Sequence, residues 1–195
     1  AAFAAASAAQ AADPVVVIEP VQANYVEVCD AFGAGYFYIP GTETCLNIGG
    51  YIRFQIDAQT GGNSPDTWNA WTRGQLVVSS KTDTELGALT GVIVLNSEYN
   101  SNDGSGDTYI DEAYLGLGGF QAGKFLSYWD EGLLGEIDDL AGQTNFNSMR
   151  YVYVGEGFVG GLSLDALEPS MVGLSNSGDN TPKIGVSGRV GFQAG

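Results

Sequence analysis

The segment 46–58, LNIGGYIRFQIDA, constrains the fold more than any other part of the chain. Leu46, Ile48, Ile52, Phe54, Ile56 and Ala58 share one parity, and Asn47, Tyr51, Arg53, Gln55 and Asp57 share the other. Successive side chains of a strand point to opposite faces, so this is a strand with one apolar wall and one wet wall. Two architectures use such a strand. A soluble sandwich turns the apolar wall onto a core, whereas a membrane barrel turns it outward to lipid and keeps the wet wall inside.

The pattern recurs. Alternating segments are expected at 68–80, 88–98, 108–118, 121–129, 149–155, 158–168 and 183–193, which with 46–58 makes eight strands. In KIGVSGRVGFQ, Ile184, Val186, Val190 and Phe192 oppose Lys183, Ser187 and Arg189. Met149, Tyr151 and Tyr153 oppose Arg150; Leu162, Leu164 and Ala166 oppose Ser163 and Asp165; Leu76 and Val78 oppose Arg73 and Gln75. Segment 88–98 is apolar on both parities. Lys124, in QAGKFLSYW, is placed on the inner face because lipid penalises a cation. Lys81 is expected in a short turn. Keeping cations off the apolar parity supports alternation, and a soluble protein would do the same.

The connections discriminate better. KTDTELG, Gly118-Gly119 and the 155–157 turn are short, while QTGGNSPDT, YNSNDGSGD, 130–148 and PSMVGLSNSGDNTP are long and polar. Short and long connections in alternation are the pattern of outer-membrane barrels, and Greek-key sandwiches have no reason for it. Composition agrees. Charged residues make up 15% of the chain, below the ~25% of soluble domains, and 29 glycines and 11% aromatics suit close strands and interfacial rings. No run of about 18 apolar residues is present that would read as a transmembrane helix. Seven Lys and Arg against 23 Asp and Glu give a net charge of -16, which leaves no basic footprint for nucleic acid. An acidic secreted β-sandwich is the competing reading.

Export is indicated at the start. AAFAAASAAQA is a small apolar run ending in an A-x-A site at Ala9-Gln10-Ala11, so residues 1–11 read as the remainder of a secretory signal and Ala12 as the first mature residue. Residues 12–45 form a proline-punctuated lead with two cysteines. In an oxidising compartment Cys29 and Cys45 suggest one disulfide around a Gly-rich loop. With no histidine and only two thiols, no metal site or cofactor is expected.

The connection 130–148, DEGLLGEIDDLAGQTNFNS, is the candidate functional segment. It follows the fifth expected strand, exceeds the usual connection length, and carries Asp130, Glu131, Glu136, Asp138 and Asp139 with no cation. Leu133, Leu134, Ile137 and Leu140 give it an apolar side. Folded inward, its Glu131, Glu136, Asp138 and Asp139 would face the wall cations Arg53, Arg73, Lys124 and Arg150, making a narrow transverse field of the kind that pores use to select. The bland alternative is an acidic external loop. No nucleophile elbow or catalytic histidine is present, and adjacent loop acids such as Asp138 and Asp139 are a poor glycosidase pair, so no catalytic residues are assigned and no enzyme is expected.

VCDAFGAGYFYIPGTETCLNIGGYIRF, with the ADPVVV start before it, resembles the N-terminal region of alphaproteobacterial general-diffusion porins. YIDEAYLGLGGFQAGKFLSYWD resembles the porin segment that runs into the constriction loop. The resemblance extends over essentially the whole chain. It implies an all-β transmembrane antiparallel barrel of about 16 strands, of which residues 46–195 supply about eight, with an inward-folded loop. It implies an outer-membrane homotrimer, in contact with outer-membrane lipids, that passes small hydrophilic solutes and ions. By position, Lys124 and Arg150 match wall cations and Glu131, Glu136, Asp138 and Asp139 match loop acids, while Arg53 and Arg73 match less closely. The strand count and the GFQAG end lead us to expect a fragment of a longer gene or protein. An adhesin or structural barrel without channel activity is the alternative function.

Overall fold

The computed structural model describes residues 26–59, 67–128, 131, 145–167 and 181–192. The signal remnant, Ala12, and the loop acids Asp130, Glu136, Asp138 and Asp139 lie outside the described residues.

The described chain forms one antiparallel sheet of nine strands in strict sequence order. They are β1 (Phe37–Tyr38), β2 (Cys45–Gln59), β3 (Thr67–Thr84), β4 (Gly87–Asn100), β5 (Ser105–Leu117), β6 (Phe120–Leu126), β7 (Asn145–Gly155), β8 (Phe158–Leu167) and β9 (Lys183–Phe192). The eight long strands are those expected from alternation, and β1 is a two-residue addition inside the cysteine loop. Tight turns join them at one end. Gly118 and Gly119 both have positive φ, which a two-residue hairpin of this twist requires.

Two expectations are corrected here. The connection after β4 is short: the ladder runs to the pair Asn100–Ser105, leaving four residues. Asn100 and Asp103 accept hydrogen bonds from the backbone N–H groups of Asn102 and Ser105, and the Ser97 and Thr108 hydroxyls bond across the strands, so the polar residues extend the hairpin. Lys81 lies in β3 and not in a turn, with Nζ 5.3 Å from the Tyr36 ring and 5.7 Å from the Phe32 ring.

Those two rings belong to the cysteine loop. Cys29 and Cys45 are disulfide-bonded and buried. Asn47 donates to the Gly35 carbonyl at 2.8 Å, and the Tyr36 and Ser79 hydroxyls are 3.0 Å apart. The crosslinked loop therefore lies on the polar face at the short-turn end.

The polarity of the sheet is inverted relative to a soluble domain. Ile52 is 85% exposed and Ile184 83%, with Phe54, Leu115, Leu162, Val186 and Val190 also exposed on the same face. The opposite face buries Asn96, Ser148, Arg150, Ser163 and Asp165. A water-soluble sheet would lose the burial of its apolar side chains in this arrangement, whereas a sheet bathed in lipid on one face and water on the other loses nothing. Where the wall is tightest, glycine is needed. A Cβ on Gly50, whose φ is +143°, would stand 2.0 Å from the Gln75 carbonyl oxygen.

Candidate functional site

The polar face carries two charged clusters. The first follows one ladder row across four strands: Arg53 pairs with Arg73, Arg73 with Glu98, and Glu98 with Asp107. Two guanidiniums directly opposite one another repel. Here the repulsion is offset on both sides. Arg73 forms an ion pair with Glu98, whose carboxylate also accepts the Tyr109 hydroxyl at 2.8 Å. Trp71 lies beside both cations, its ring centroid 4.4 Å from the Arg53 guanidinium carbon and 5.2 Å from that of Arg73. The indole N–H is fixed in turn by Asp57 at 2.8 Å.

The second cluster stands where the chain leaves β6. Arg150, on β7, is 5% exposed. Its Nη1 donates to Glu131 Oε2 at 2.6 Å and its Nη2 to the Leu126 carbonyl at 2.7 Å. The guanidinium carbon lies 3.9 Å from the Tyr128 ring centroid and 4.7 Å from that of Phe125. Arg189 Nη1, from β9, reaches Glu131 Oε1 at 3.6 Å. The Glu131 N–H donates to the Ser127 carbonyl, closing a turn. A guanidinium that binds two acceptors and rests against two rings holds the departing chain against the wall in one geometry.

Beside Arg150 is Asp165, 4% exposed. Ser148 and Ser163 donate to its Oδ1 at 2.7 and 2.6 Å, and Ser187 donates to its Oδ2 at 2.6 Å. Three hydroxyls from β7, β8 and β9 thus satisfy one buried carboxylate, as a buried charge requires.

Of the residues expected from sequence, Arg53 and Arg73 come together, and Arg150 and Glu131 come together. Lys124 joins neither pair. The ladder puts it opposite Ala113 and Asn147, on the face of Leu115 and Met149, whereas Arg150 shares its face with Gln121. This corrects the inward placement. Phe125, not Lys124, points inward from β6 and is buried edge-on to Tyr114 and under Arg150. An inward phenylalanine hides the parity of that strand from a reading by hydrophobicity. Sequence reasoning also missed Glu98, Tyr128 and the role of Arg189. Arg189 was visible on a wet parity, but its partner lies far away in the chain.

Residues 13–195 match the model of the Porin subfamily. This chain belongs to that family. The Porin subfamily match is supported by relatives of considerable identity. A putative outer membrane protein y4fJ of Sinorhizobium fredii is 51% identical over 180 residues, covering 86% of this chain and 52% of the relative. Outer membrane protein IIIA of Rhizobium leguminosarum bv. viciae is 48% identical over 198 residues, covering 100% of this chain and 52% of the relative. Porin Omp2b of Brucella suis is 38% identical over 197 residues, covering 92% and 52%. The chain therefore spans about half the length of these relatives. No solved structure matches it. For a porin, the apolar face is the lipid face and the polar face is the lumen.

Proposed function

We propose that this protein lies in the bacterial outer membrane as part of a water-filled porin that passes small hydrophilic solutes and ions by diffusion, and that it works as a channel, not an enzyme. The observation that carries this reading is the inverted sheet: exposed aliphatic side chains on one face and ion-paired arginines on the other. Only a closed barrel leaves no unpaired edge in lipid, so the wall belongs to a closed barrel, and membership of the porin family supports one of about 16 strands that works as a homotrimer.

Residues 145–148, expected in the loop, are already strand in β7 and pair with β6, so in this reading it is the shorter connection ending at 144 that enters the lumen. The grip of Arg150 on Glu131 and Leu126 supports it, because the chain is already held against the polar face as it leaves β6. Glu136, Asp138 and Asp139 then stand across a narrow wet gap from Arg53, Arg73, Arg150 and Arg189. Lys124 is not part of this pore wall. Fixed charges at a low-dielectric neck act strongly on a passing ion and set a bias as well as a size limit.

The test uses the full-length protein in planar bilayers. Stepwise ion currents are expected, with a reversal potential in a salt gradient that moves when the charged clusters are neutralised. A purified, correctly inserted protein that gives no currents would remove the channel reading and favour an adhesin or structural barrel.

A further inference from the structure

Residues 29–36 do not extend the sheet; they fold back over its polar face. β1 lies in the sheet, opposite Leu46 and Cys45 at the start of β2. The residues just before it reach past β2 to β3. Tyr36 meets Ser79, and the rings of Phe32 and Tyr36 lie against Lys81 Nζ. Ser79 and Lys81 share the parity of Arg73, and Asn47, which donates to the Gly35 carbonyl, shares that of Arg53. The segment therefore crosses β2 on the wet side. Its two surfaces differ. Toward the wall it sends Phe32 and Tyr36, whose ring centroids are 6.3 Å apart, and a Cβ on Gly35 would stand 2.8 Å from Asn47 Nδ2. Away from the wall, Asp30, Ala31, Gly33 and Ala34 are exposed, and a Cβ on Gly33 would meet no atom of the described residues within 4 Å.

Both ends of this arch are fixed. The buried disulfide ties Cys29 to the first residue of β2, and two-residue β1 pairs with β2 immediately after Tyr36. The Cys29 N–H donates to the Tyr36 carbonyl at 2.9 Å and the Tyr38 N–H to the Glu27 carbonyl at 2.8 Å, which closes the arch on itself. A pairing of two residues is a weak hold, so the crosslink and the two rings carry the attachment. A layer seated on a sheet through its side chains stands roughly 10 Å off it. The arch does so near the short turns, because Lys81 comes three residues before Thr84, where β3 ends. The candidate loop departs from the other end of the wall, after Leu126 of β6. The two inward segments are thus attached at opposite ends.

We propose that residues 29–36 form a second narrowing of the channel, at its short-turn mouth, and that Asp30 is a specificity-determining residue there, opposing the passage of anions. The proposal rests on the porin reading above and adds to it a narrowing distinct from the candidate loop. The arch changes what the wall shows to a passing ion. Lys81 would otherwise present an ammonium to the lumen, and two aromatic rings now lie against it. Asp30 stands on the outer surface in its place. At this level a wall cation is exchanged for a carboxylate, whereas the arginine clusters further along the wall favour anions. A fixed charge biases ions most where the water-filled path is narrow, so one carboxylate on an inward arch counts for more than one on an outer turn.

The experiment records single channels of the full-length protein in planar bilayers, with its disulfide intact, and reads conductance and the reversal potential in a salt gradient. Asp30→Asn is expected to raise the anion-to-cation permeability ratio about twofold. Glu85→Gln removes the same charge from the β3–β4 turn, outside the lumen, and is expected to leave the ratio where it was. Ala34→Trp puts a large ring on the exposed surface of the arch and is expected to lower single-channel conductance. Removing the two rings that seat the arch (F32A/Y36A) is expected to raise conductance or its fluctuation. Asp30 and Ala34 are exposed, so neither substitution disturbs packing. A ratio that moves no more in Asp30→Asn than in Glu85→Gln, or an unchanged conductance in Ala34→Trp, would overturn the second narrowing while wild-type currents keep the porin reading intact. Absent currents from correctly inserted wild type would remove the porin reading, and this narrowing with it.

Discussion

At the residue scale, each of the two clusters sets two guanidiniums among two carboxylates: Arg53 and Arg73 share a ladder row with Glu98 and Asp107, with Arg73 ion-paired to Glu98, and Arg150 and Arg189 both reach Glu131, with Asp165 beside Arg150. Each cluster therefore gathers two of the seven Lys and Arg on the wet face of a chain whose net charge is -16. Neutralising Arg53 and Arg150 to Gln is expected to shift selectivity toward cations, and neutralising Asp138 and Asp139 to Asn to shift it toward anions, with little change in pore size. Reversal potentials in a salt gradient read both, and potentials unmoved by either pair would place the loop outside the channel. Glu131→Gln is expected to cost about 1–2 kcal/mol of local anchoring, less than a fully buried pair because Glu131 keeps some water contact. The readout is noisier single-channel current. The disulfide is a separate residue-scale device. Opening it with Cys45→Ser is expected to destabilise the protein by about 3 kcal/mol, from the closure entropy of a loop with a sequence separation of 16. A urea midpoint that does not fall, or an intact protein with two free thiols in the envelope, would contradict this.

At the element scale, the strands were legible because their signal is local. Each side chain in β2 or β9 announces its face through its own polarity and that of its neighbours two residues away. Arg in place of Ile52 or Val190 is therefore expected to hinder insertion by about 2–4 kcal/mol if the site lies at mid-bilayer, while Arg at Gln55 or Ser187 is tolerated. Equal insertion yields for all four variants in lipid vesicles would argue against the assigned faces. Two elements were not legible. In β6 the inward Phe125 and the outward Lys124 both contradict their own hydrophobicity, because Phe125 is covered by Arg150 and Tyr114 while Lys124 donates to the Ile110 carbonyl beside the bulge in β5. The partnership of Arg73 with Glu98 depends on which residue of β4 falls opposite β3, and register is a property of two strands that no single segment displays. The candidate loop was recognisable from its charge and length; its attachment through Arg150 and Tyr128 required the fold.

At the scale of the whole molecule, deleting residues 133–144 is expected to widen the lumen and raise single-channel conductance without loss of insertion, since the strands on either side pair directly from Phe120–Tyr151 to Leu126–Asn145. Unchanged conductance in planar bilayers would mean that the segment does not narrow the path. The strand order adds a consequence in time. Every long strand pairs only with those beside it in sequence, so no part of this wall waits for a distant part of the chain. Growth can proceed hairpin by hairpin, each new edge serving as the template for the next strand, with closure entropy incurred over short spans. A lesion at the Gly118-Gly119 turn should then act as a stop in a queue: β2 to β5 form as usual, and everything from β6 onward is delayed together.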